Sequence, residues 1–147
     1  KCVENLAARF PKNIIGVKDS SYNLMGNLNI ENFSILPGSE LKLLNGLKKD
    51  CSGIITATCN VTAKLARKVF DDFKQNKEQT VNDKLCEVRK VFDQFNLISG
   101  LHSFLSLTDK QFLNILPTCS LLNEKDEKIL KDKLKDLDFL KKDFKAA

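Results

Sequence analysis

The chain has 147 residues and a mass of 16.6 kDa, and 42% of its residues are apolar, so it can bury the core of one ordinary domain and is not a disordered tail. Its net charge is +5, but only three of the 24 cationic residues are arginines, so a nucleic-acid partner is not expected. The longest apolar runs fall far below the roughly 20 residues that span a bilayer, and the sequence begins without a signal-peptide pattern, so we expect a soluble protein with no membrane partner.

The five cysteines do not form the pattern of a disulfide framework or of a zinc site. Their number is odd, they are widely spaced, and only His102 is available as an imidazole ligand. We therefore expect reduced thiols in a cytoplasmic protein that needs neither a metal nor a cofactor.

The first half of the sequence alternates between short β-branched runs and segments with helical spacing. An opening helix is predicted from Val3, Leu6, Ala7 and Phe10. Three runs that start about twenty residues apart then predict strands over Asn13 to Val17, Phe33 to Leu36, and Gly53 to Thr58. The helices that follow them are marked by Leu24 and Leu28, by Leu41, Leu44 and Leu47, and by Leu65, Ala66, Val69, Phe70 and Phe73. This alternation predicts a parallel sheet that is covered on both faces.

From about Asn82 onward the helical period replaces the strand pattern. A helix is predicted from Leu85, Val88, Phe92 and Phe95, and a loop containing Ser99 and Gly100 ends it. The segment from Leu101 to Leu116 is expected to be partly helical, up to Pro117. A final helix from about Glu124 to Lys142 is predicted to begin with Asn123 as its N-cap and Asp126 in its first turn. Its buried stripe is predicted to contain Leu130, Leu134, Leu137 and Phe144.

Three parallel strands would leave two unpaired sheet edges, so the pattern predicts part of a larger domain. Strand-helix units that end in a helical appendix are typical of the last part of a TIM, or (β/α)8, barrel, which needs about 250 residues. We expect an α/β fold in which residues 1–80 form the last three strand-helix units, strands 6 to 8, and residues 81–147 form a C-terminal helical extension. The chain alone is expected to be inactive and to aggregate.

Reactive groups in such a sheet gather where the strands end. Lys18 closes the first predicted strand. A lysine among apolar walls loses the hydration of its charged form, so its pKa falls and its amine can form a Schiff base. The alternative is a lysine that only marks the exit of the strand into solvent.

The other two strand ends offer further candidates. Gly38, Ser39 and Glu40 follow the second strand and can line a pocket, or Ser39 can cap the next helix with Glu40 in its first turn. At the third strand end Cys59 could act as a nucleophile, but no base is supplied nearby in the sequence. A small buried hydrophobe is the favoured interpretation of Cys59.

Taken together, these strand ends resemble the dihydrodipicolinate synthase and N-acetylneuraminate lyase family of pyruvate-dependent class I aldolase-type barrels. The segment from Ile14 to Ser21 is similar to the Schiff-base segment at the end of the sixth barrel strand in that family. The turn Pro37-Gly38-Ser39-Glu40 is similar to the Gly-Asp-Asp turn after the seventh strand, and Gly53 to Val61 is similar to the segment of the eighth strand. The three segments occur in the same order and at matching spacing.

The resemblance implies that Lys18 attacks the ketone of pyruvate and that the resulting enamine adds to an aldehyde, or that the same steps run backward. It also implies that the backbone of Ile55 borders the pyruvate and that Gly38 lies beside the ligand, with Ser39 and Glu40 as further substrate-binding candidates. The proton-relay tyrosine, the pyruvate-binding hydroxyls and the acceptor-binding arginine of the family belong to earlier strands, and Tyr22 does not match that tyrosine. Family members are often cytosolic homotetramers.

Differences from the family pattern narrow the choice of reaction. Leu41 and Ala57 stand where the sialic-acid lyase branch has an acidic residue and a serine, which disfavours that branch. A 4-hydroxy-tetrahydrodipicolinate synthase, which condenses pyruvate with aspartate semialdehyde in lysine biosynthesis, is favoured by the residues from Thr58 to Val61. A 2-keto-3-deoxy-sugar-acid aldolase and a non-catalytic assembly module derived from the barrel remain the alternatives.

Overall fold

The computed structural model describes residues 1–139, so the predicted buried Phe144 lies outside the described residues. The helices in this range are α1 (Cys2–Arg9), α2 (Leu43–Leu47), α3 (Cys59–Lys74), α4 (Asn82–Phe92), α5 (Leu97–Leu105) and α6 (Glu124–Asp136). The strands are β1 (Gly16–Asp19) and β2 (Ser34–Pro37), and short 3₁₀ turns cover Glu40–Lys42 and Lys110–Leu113. α1 precedes the sheet, and both strands precede α2 to α6, so the predicted alternation of strand and helix fails between β1 and β2.

β1 and β2 form a parallel pair in which Gly16 lies opposite Ser34 and Asp19 lies opposite Pro37. The pairing continues past the strand ends, because the Gly38 amide donates to the Asp19 carbonyl at 3.1 Å. Gly16 is required for this approach: a Cβ at that position would lie 2.8 Å from the Ser34 carbonyl oxygen.

The prediction of a regular third strand from Gly53 to Thr58 is wrong. This segment does follow β2, since Ser52 donates its amide to the Ile35 carbonyl at 3.0 Å and Ile55 donates to the Pro37 carbonyl at 3.1 Å. The two donors are three residues apart and the two acceptors are two apart, so one residue is inserted on the third segment. Gly53, whose φ is +146°, lies at the insertion and interrupts the ladder.

The helix predicted from Leu24 and Leu28 is also absent from the described chain, which has bends and turns after β1. The carboxylate of Asp19 captures the amides of Leu24 and Met25, at 2.9 and 3.2 Å, which favours a turn over a continuous helix. Leu24 and Leu28 still pack on the sheet, against a small buried cluster of Met25, Ile35 and Cys51.

α2 and α3 agree with the sequence pattern, except that one residue predicted to be buried beside α2 is exposed. α2 buries Leu43 and Leu47, whereas Leu41, predicted to be in the stripe, is 38% exposed. α3 packs against α2 and α4 through a shared apolar cluster. That cluster contains Leu43, Leu47, Ala66, Val69 and Leu85, with Leu44, Leu65, Phe70 and Phe73 around it.

α4 begins at Asn82 as predicted but ends at Phe92, before the predicted Phe95, and the predicted loop at Ser99 and Gly100 is wrong. Both residues lie inside α5, because Asn96 caps that helix by accepting the Ser99 amide at 3.1 Å. Gly100 packs beside the Phe92 ring, where a Cβ would make an ordinary contact at 3.5 Å. The chain therefore turns before Asn96, earlier than the glycine suggests.

α6 is the last helix of the described residues, and it ends at Asp136, so the prediction of one helix as far as Lys142 is wrong. Asp138, whose φ is +49°, interrupts the helical conformation there. Asn123 accepts the Asp126 amide at 2.9 Å, which confirms the predicted N-cap. Leu130 and Leu134 are buried as predicted, in the largest apolar cluster of the described residues. This cluster consists of Val61, Val88, Val91, Phe92, Leu101, Phe104, Leu130, Leu134 and Phe139.

The side chains that precede the sheet are less covered. In α1 only Ala7 is buried, whereas Leu6 and Phe10 are 43% and 44% exposed. Ile15, just before β1, is 66% exposed.

Within residues 1–139 no helix is both long and apolar enough to cross a membrane.

Replacement of Gly16 and of Gly100 by alanine should change the free energy of unfolding in opposite directions. At position 16 the new Cβ collides with the Ser34 carbonyl oxygen, so we expect a loss of about 1–3 kcal/mol. At position 100 the Cβ fits, and alanine gains roughly 0.5–1 kcal/mol because it loses less backbone entropy in a helix. Denaturant unfolding of both variants, expressed from the complete coding sequence, measures the two effects. A Gly16→Ala protein as stable as the wild type would contradict the close β1–β2 approach.

Candidate active site

The three predicted strand ends lie side by side. The Gly38 amide bonds to the Asp19 carbonyl, which joins the exits of β1 and β2, and the Ile55 amide bonds to the Pro37 carbonyl, which joins β2 to the next segment. Lys18, Gly38 and Ile55 therefore belong to three adjacent segments at one edge of the sheet. This is the edge where parallel sheets place reactive groups.

Lys18 lies next to the end of β1, opposite Leu36 of β2. Because side chains alternate along a strand, Val17 and Asp19 project to the other face, where Val17 packs against the cluster that contains Ile35. The side chain of Lys18 is exposed, and the described residues do not enclose it in the apolar walls expected from the sequence. Its catalytic role remains a prediction.

Asp19 organises the loop that follows Lys18. Its buried carboxylate accepts the Ser21 hydroxyl at 2.9 Å as well as the amides of Leu24 and Met25. Burial alone would raise the pKa of Asp19, but the hydrogen bonds from Ser21 and from these amides outweigh it and hold the pKa below its ordinary value. Asp19 is thus an ionised anchor for the loop at neutral pH.

Gly38 and Ser39 shape the turn after β2. A Cβ on Gly38 would lie 3.1 Å from the Ser20 hydroxyl, so glycine allows the two strand exits to approach each other. Ser39 is buried and accepts the Leu41 amide at 3.3 Å, which matches the capping alternative. Their contact with a substrate remains a prediction.

Glu40 is fully buried at the start of the 3₁₀ turn, and its carboxylate is surrounded by hydroxyl groups. Thr56 donates to it at 2.9 Å, Thr62 donates at 2.9 Å, and Thr58 makes a further hydrogen bond. Arg89 of α4 completes the network with an ion pair at 3.0 Å. We call this set of five residues the Glu40 cluster.

Arg89 is the cation of the Glu40 cluster, and its side chain is 12% exposed. Its Nη1 donates to Thr56 at 2.8 Å and to Thr58 at 3.1 Å, while its Nε donates to Asp93 at 2.8 Å. Burial disfavours the charged guanidinium, but Glu40 and Asp93 outweigh this effect and raise the pKa of Arg89.

This role of Arg89 was not predicted from the sequence. Arg89 follows Leu85 by four residues, so it falls on the buried stripe of its helix, and a cation at such a position was the available signal.

Ile55 and Cys59 lie close to this network in the sequence. Ile55 is 49% exposed, and its backbone amide is already bonded to Pro37. Cys59 is half-buried, and burial together with the Glu40 carboxylate raises its pKa to about 11. Its thiol is therefore protonated at neutral pH, which supports the interpretation of Cys59 as a small hydrophobe.

The remaining sulfur and imidazole groups of residues 1–139 do not gather into a metal-ligand group. All five cysteines there are free thiols, and the region contains no group of three or more His, Cys, Asp or Glu side chains placed to hold a metal ion. His102 donates through Nδ1 to the Phe112 carbonyl at 2.9 Å.

Comparison with known proteins gives a consistent family assignment. The model of the dihydrodipicolinate synthetase family matches residues 1–136. A monomeric variant of dihydrodipicolinate synthase aligns with a TM-score of 0.78 and 19% identity, over 94% of this chain and 51% of its own. Dihydrodipicolinate synthase from Thermotoga maritima aligns with a TM-score of 0.77 and 19% identity, over 94% and 52%.

A third structure gives the same result. The 4-hydroxy-tetrahydrodipicolinate synthase from Methylacidiphilum fumariolicum aligns with a TM-score of 0.77 and 16% identity, over 92% of this chain and 49% of its own. The identities are low, so these likenesses show a shared α/β fold. This chain spans about half the length of the structures that it matches. No curated protein sequence matches it.

Replacement of Asp19 by asparagine should destabilise the protein at neutral pH by about 2 kcal/mol, because hydrogen bonds to a charged acceptor are lost. The pKa of Asp19 is lowered in the folded state. The carboxylate therefore contributes fully above the unfolded pKa and loses its contribution as the pH falls through the lower folded pKa. The stability gap between wild type and Asp19→Asn should close below about pH 4 in denaturant unfolding. A gap that stays constant with pH would contradict this role of Asp19.

Cys59 should react slowly with iodoacetamide. Because its pKa is raised to about 11, its thiolate is scarce at pH 8, and we expect alkylation about 100-fold slower than at an ordinary thiol. The exposed Cys2 is the internal comparison, and peptide mass spectrometry follows both residues over time. Equal rates at the two cysteines would disprove the buried, protonated state of Cys59.

Proposed function

The chain belongs to the dihydrodipicolinate synthetase family, and on this basis we propose that it carries the Schiff-base lysine of a pyruvate-dependent lyase, with Lys18 as the nucleophile. The observation that carries the proposal is the position of Lys18 at the carboxyl end of β1, beside the exits that hold Gly38 and Ile55. In this proposal β1, β2 and the irregular segment from Gly53 to Thr58 occupy the positions of strands 6 to 8 of the barrel, and residues 81–147 extend it.

The proposed reaction starts from the neutral amine of Lys18. The amine adds to the ketone carbon of pyruvate, and loss of water leaves an imine whose protonated nitrogen withdraws electrons. A methyl proton then leaves, and the resulting enamine carbon attacks the carbonyl carbon of an aldehyde. Hydrolysis of the product imine, or an intramolecular displacement of the lysine, restores the free amine.

Enclosure of Lys18 is a further part of the proposal. The described residues leave the Lys18 amine exposed. Apolar surroundings lower the pKa of a lysine. We propose that strands pairing with the free edge of β1 provide these surroundings. The same strands supply the proton relay and the groups that bind the pyruvate carboxylate. We propose Gly38, Ser39 and the Ile55 backbone as this chain's border of the pyruvate site.

The favoured reaction is that of a 4-hydroxy-tetrahydrodipicolinate synthase, in which the aldehyde is aspartate semialdehyde. The sequence from Thr58 to Val61 supports this choice over a 2-keto-3-deoxy-sugar-acid aldolase. A cytoplasmic location and a homo-oligomer, such as a homotetramer, belong to the same proposal.

Borohydride trapping tests the nucleophile. The protein expressed from the complete coding sequence is incubated with pyruvate and sodium borohydride, which reduces the imine to a stable secondary amine. We expect peptide mass spectrometry to place the reduced pyruvate on Lys18, and Lys18→Ala to abolish it. Lys12→Ala, which removes an exposed lysine ahead of β1, is the matched control and should retain the adduct.

Two outcomes would reject the proposal. Absence of an adduct on the wild-type protein would favour the non-catalytic assembly module. An adduct that persists in the Lys18→Ala variant would assign the chemistry to another lysine.

A further inference from the structure

We propose that Arg89 is a positioning residue: through the Glu40 cluster it fixes the relative position of the two turns that border the pyruvate site. This inference rests on the proposed function, because the site that it positions is the one proposed for Lys18. It concerns two turns, the one that contains Gly38 and the one that contains Ile55.

The Glu40 carboxylate has no free acceptor site for a substrate. Oε1 accepts from Thr58 and from Thr62 at 2.9 Å, and Oε2 accepts from Thr56 at 2.9 Å and from Arg89 at 3.0 Å. A carboxylate offers about four lone-pair positions, and protein donors already engage both oxygens, with the Cys59 thiol as a further neighbour. We therefore infer that Glu40 contributes to the site by holding the threonine hydroxyls and Arg89 in place, and not by binding a substrate.

Arg89 connects those groups to one another. A single nitrogen, Nη1, contacts Glu40 and the hydroxyls of Thr56 and Thr58, at 3.0, 2.8 and 3.1 Å respectively. A second nitrogen, Nε, is held by Asp93 at 2.8 Å, which fixes the plane of the guanidinium. The turn after β2 and the segment before α3 are thus tied to the same point on α4.

The two tied segments are the ones that border the proposed site. Glu40 follows Gly38 by two residues, and Thr56 directly follows Ile55. One backbone hydrogen bond, from the Ile55 amide to the Pro37 carbonyl, joins these segments at the sheet edge. The side chains of the Glu40 cluster provide a second connection, so loss of the cluster frees the turns to shift. A displacement of about 1 Å in a site can cost about 100-fold in rate.

Removal of Arg89 alone would leave the Glu40 charge buried without its cation, and the protein could fail to fold. The test therefore uses the double variant Glu40→Gln, Arg89→Met, which removes both charges while keeping side chains of similar size. The matched control is Arg67→Met, Asp71→Asn, which removes an exposed ion pair from α3. Both proteins are expressed from the complete coding sequence.

Two measurements are made on the folded proteins. The first is the rate and pyruvate dependence of borohydride trapping on Lys18. We expect the double variant to trap pyruvate about 10- to 100-fold more slowly. The second is hydrogen exchange at the Ile55 and Leu41 amides, which we expect to accelerate in the double variant while exchange within α5 is unchanged. The control should match the wild type in both.

Arg89→Lys is the conservative variant and serves if the double variant does not fold. Lysine keeps the charge but presents its donors from one point, so it cannot hold Asp93 and the Glu40 cluster together, and about 10-fold slower trapping is expected. Wild-type trapping rates in the folded double variant or in folded Arg89→Lys, or unchanged exchange at Ile55, would overturn the inference and leave the proposed function intact. A wild-type protein that forms no adduct would overturn both.

Discussion

The burial of one carboxylate, that of Glu40, beside the guanidinium of Arg89 constrains the region that borders the candidate site. A charge removed from water must be compensated by a countercharge and by hydrogen bonds. The compensating groups come from the segment before α3, from α3 itself and from Arg89 of α4. They converge only when these segments take one relative arrangement. The helical part of the chain is therefore coupled to the sheet edge by electrostatics as well as by the apolar cluster around Leu85.

Consecutive residues of β1 point to opposite faces of the sheet, one exposed and the other buried. Lys18 projects from the exposed face, while the next residue, Asp19, is buried and holds the following loop. An exposed amine and the carboxylate that anchors the following loop are thus supplied by two consecutive residues of β1. The close β1–β2 approach at Gly16 and the turn at Gly38 bring the second exit beside the lysine. Family membership and this geometry together support the role proposed for Lys18.

Much of this structure follows from local sequence signals, and the errors have identifiable causes. The faces of α3 and α4 and the Asn123 cap were predictable, because periodicity and capping depend on residues within one or two turns. The helix predicted after β1 fails because a side chain from the strand captures the amides, and hydrophobic periodicity does not report such a capture. Gly100 misleads because it lies inside α5, a helix that Asn96 caps four residues earlier. The role of Arg89 was hidden because its partners lie 31 to 49 residues away in the chain.

The location of Arg89 on a helix has a consequence for how this family member can change in evolution. Each residue of an α-helix rotates its side chain by about 100° relative to its neighbour. One residue inserted within α4 ahead of Arg89 would turn the guanidinium away from its carboxylate partner and expose it to water. Insertions between α3 and α4, in the connection that ends at Val81, leave that rotation unaltered. Length variation among natural variants should therefore concentrate in the connection, and the rotational phase of α4 should be kept.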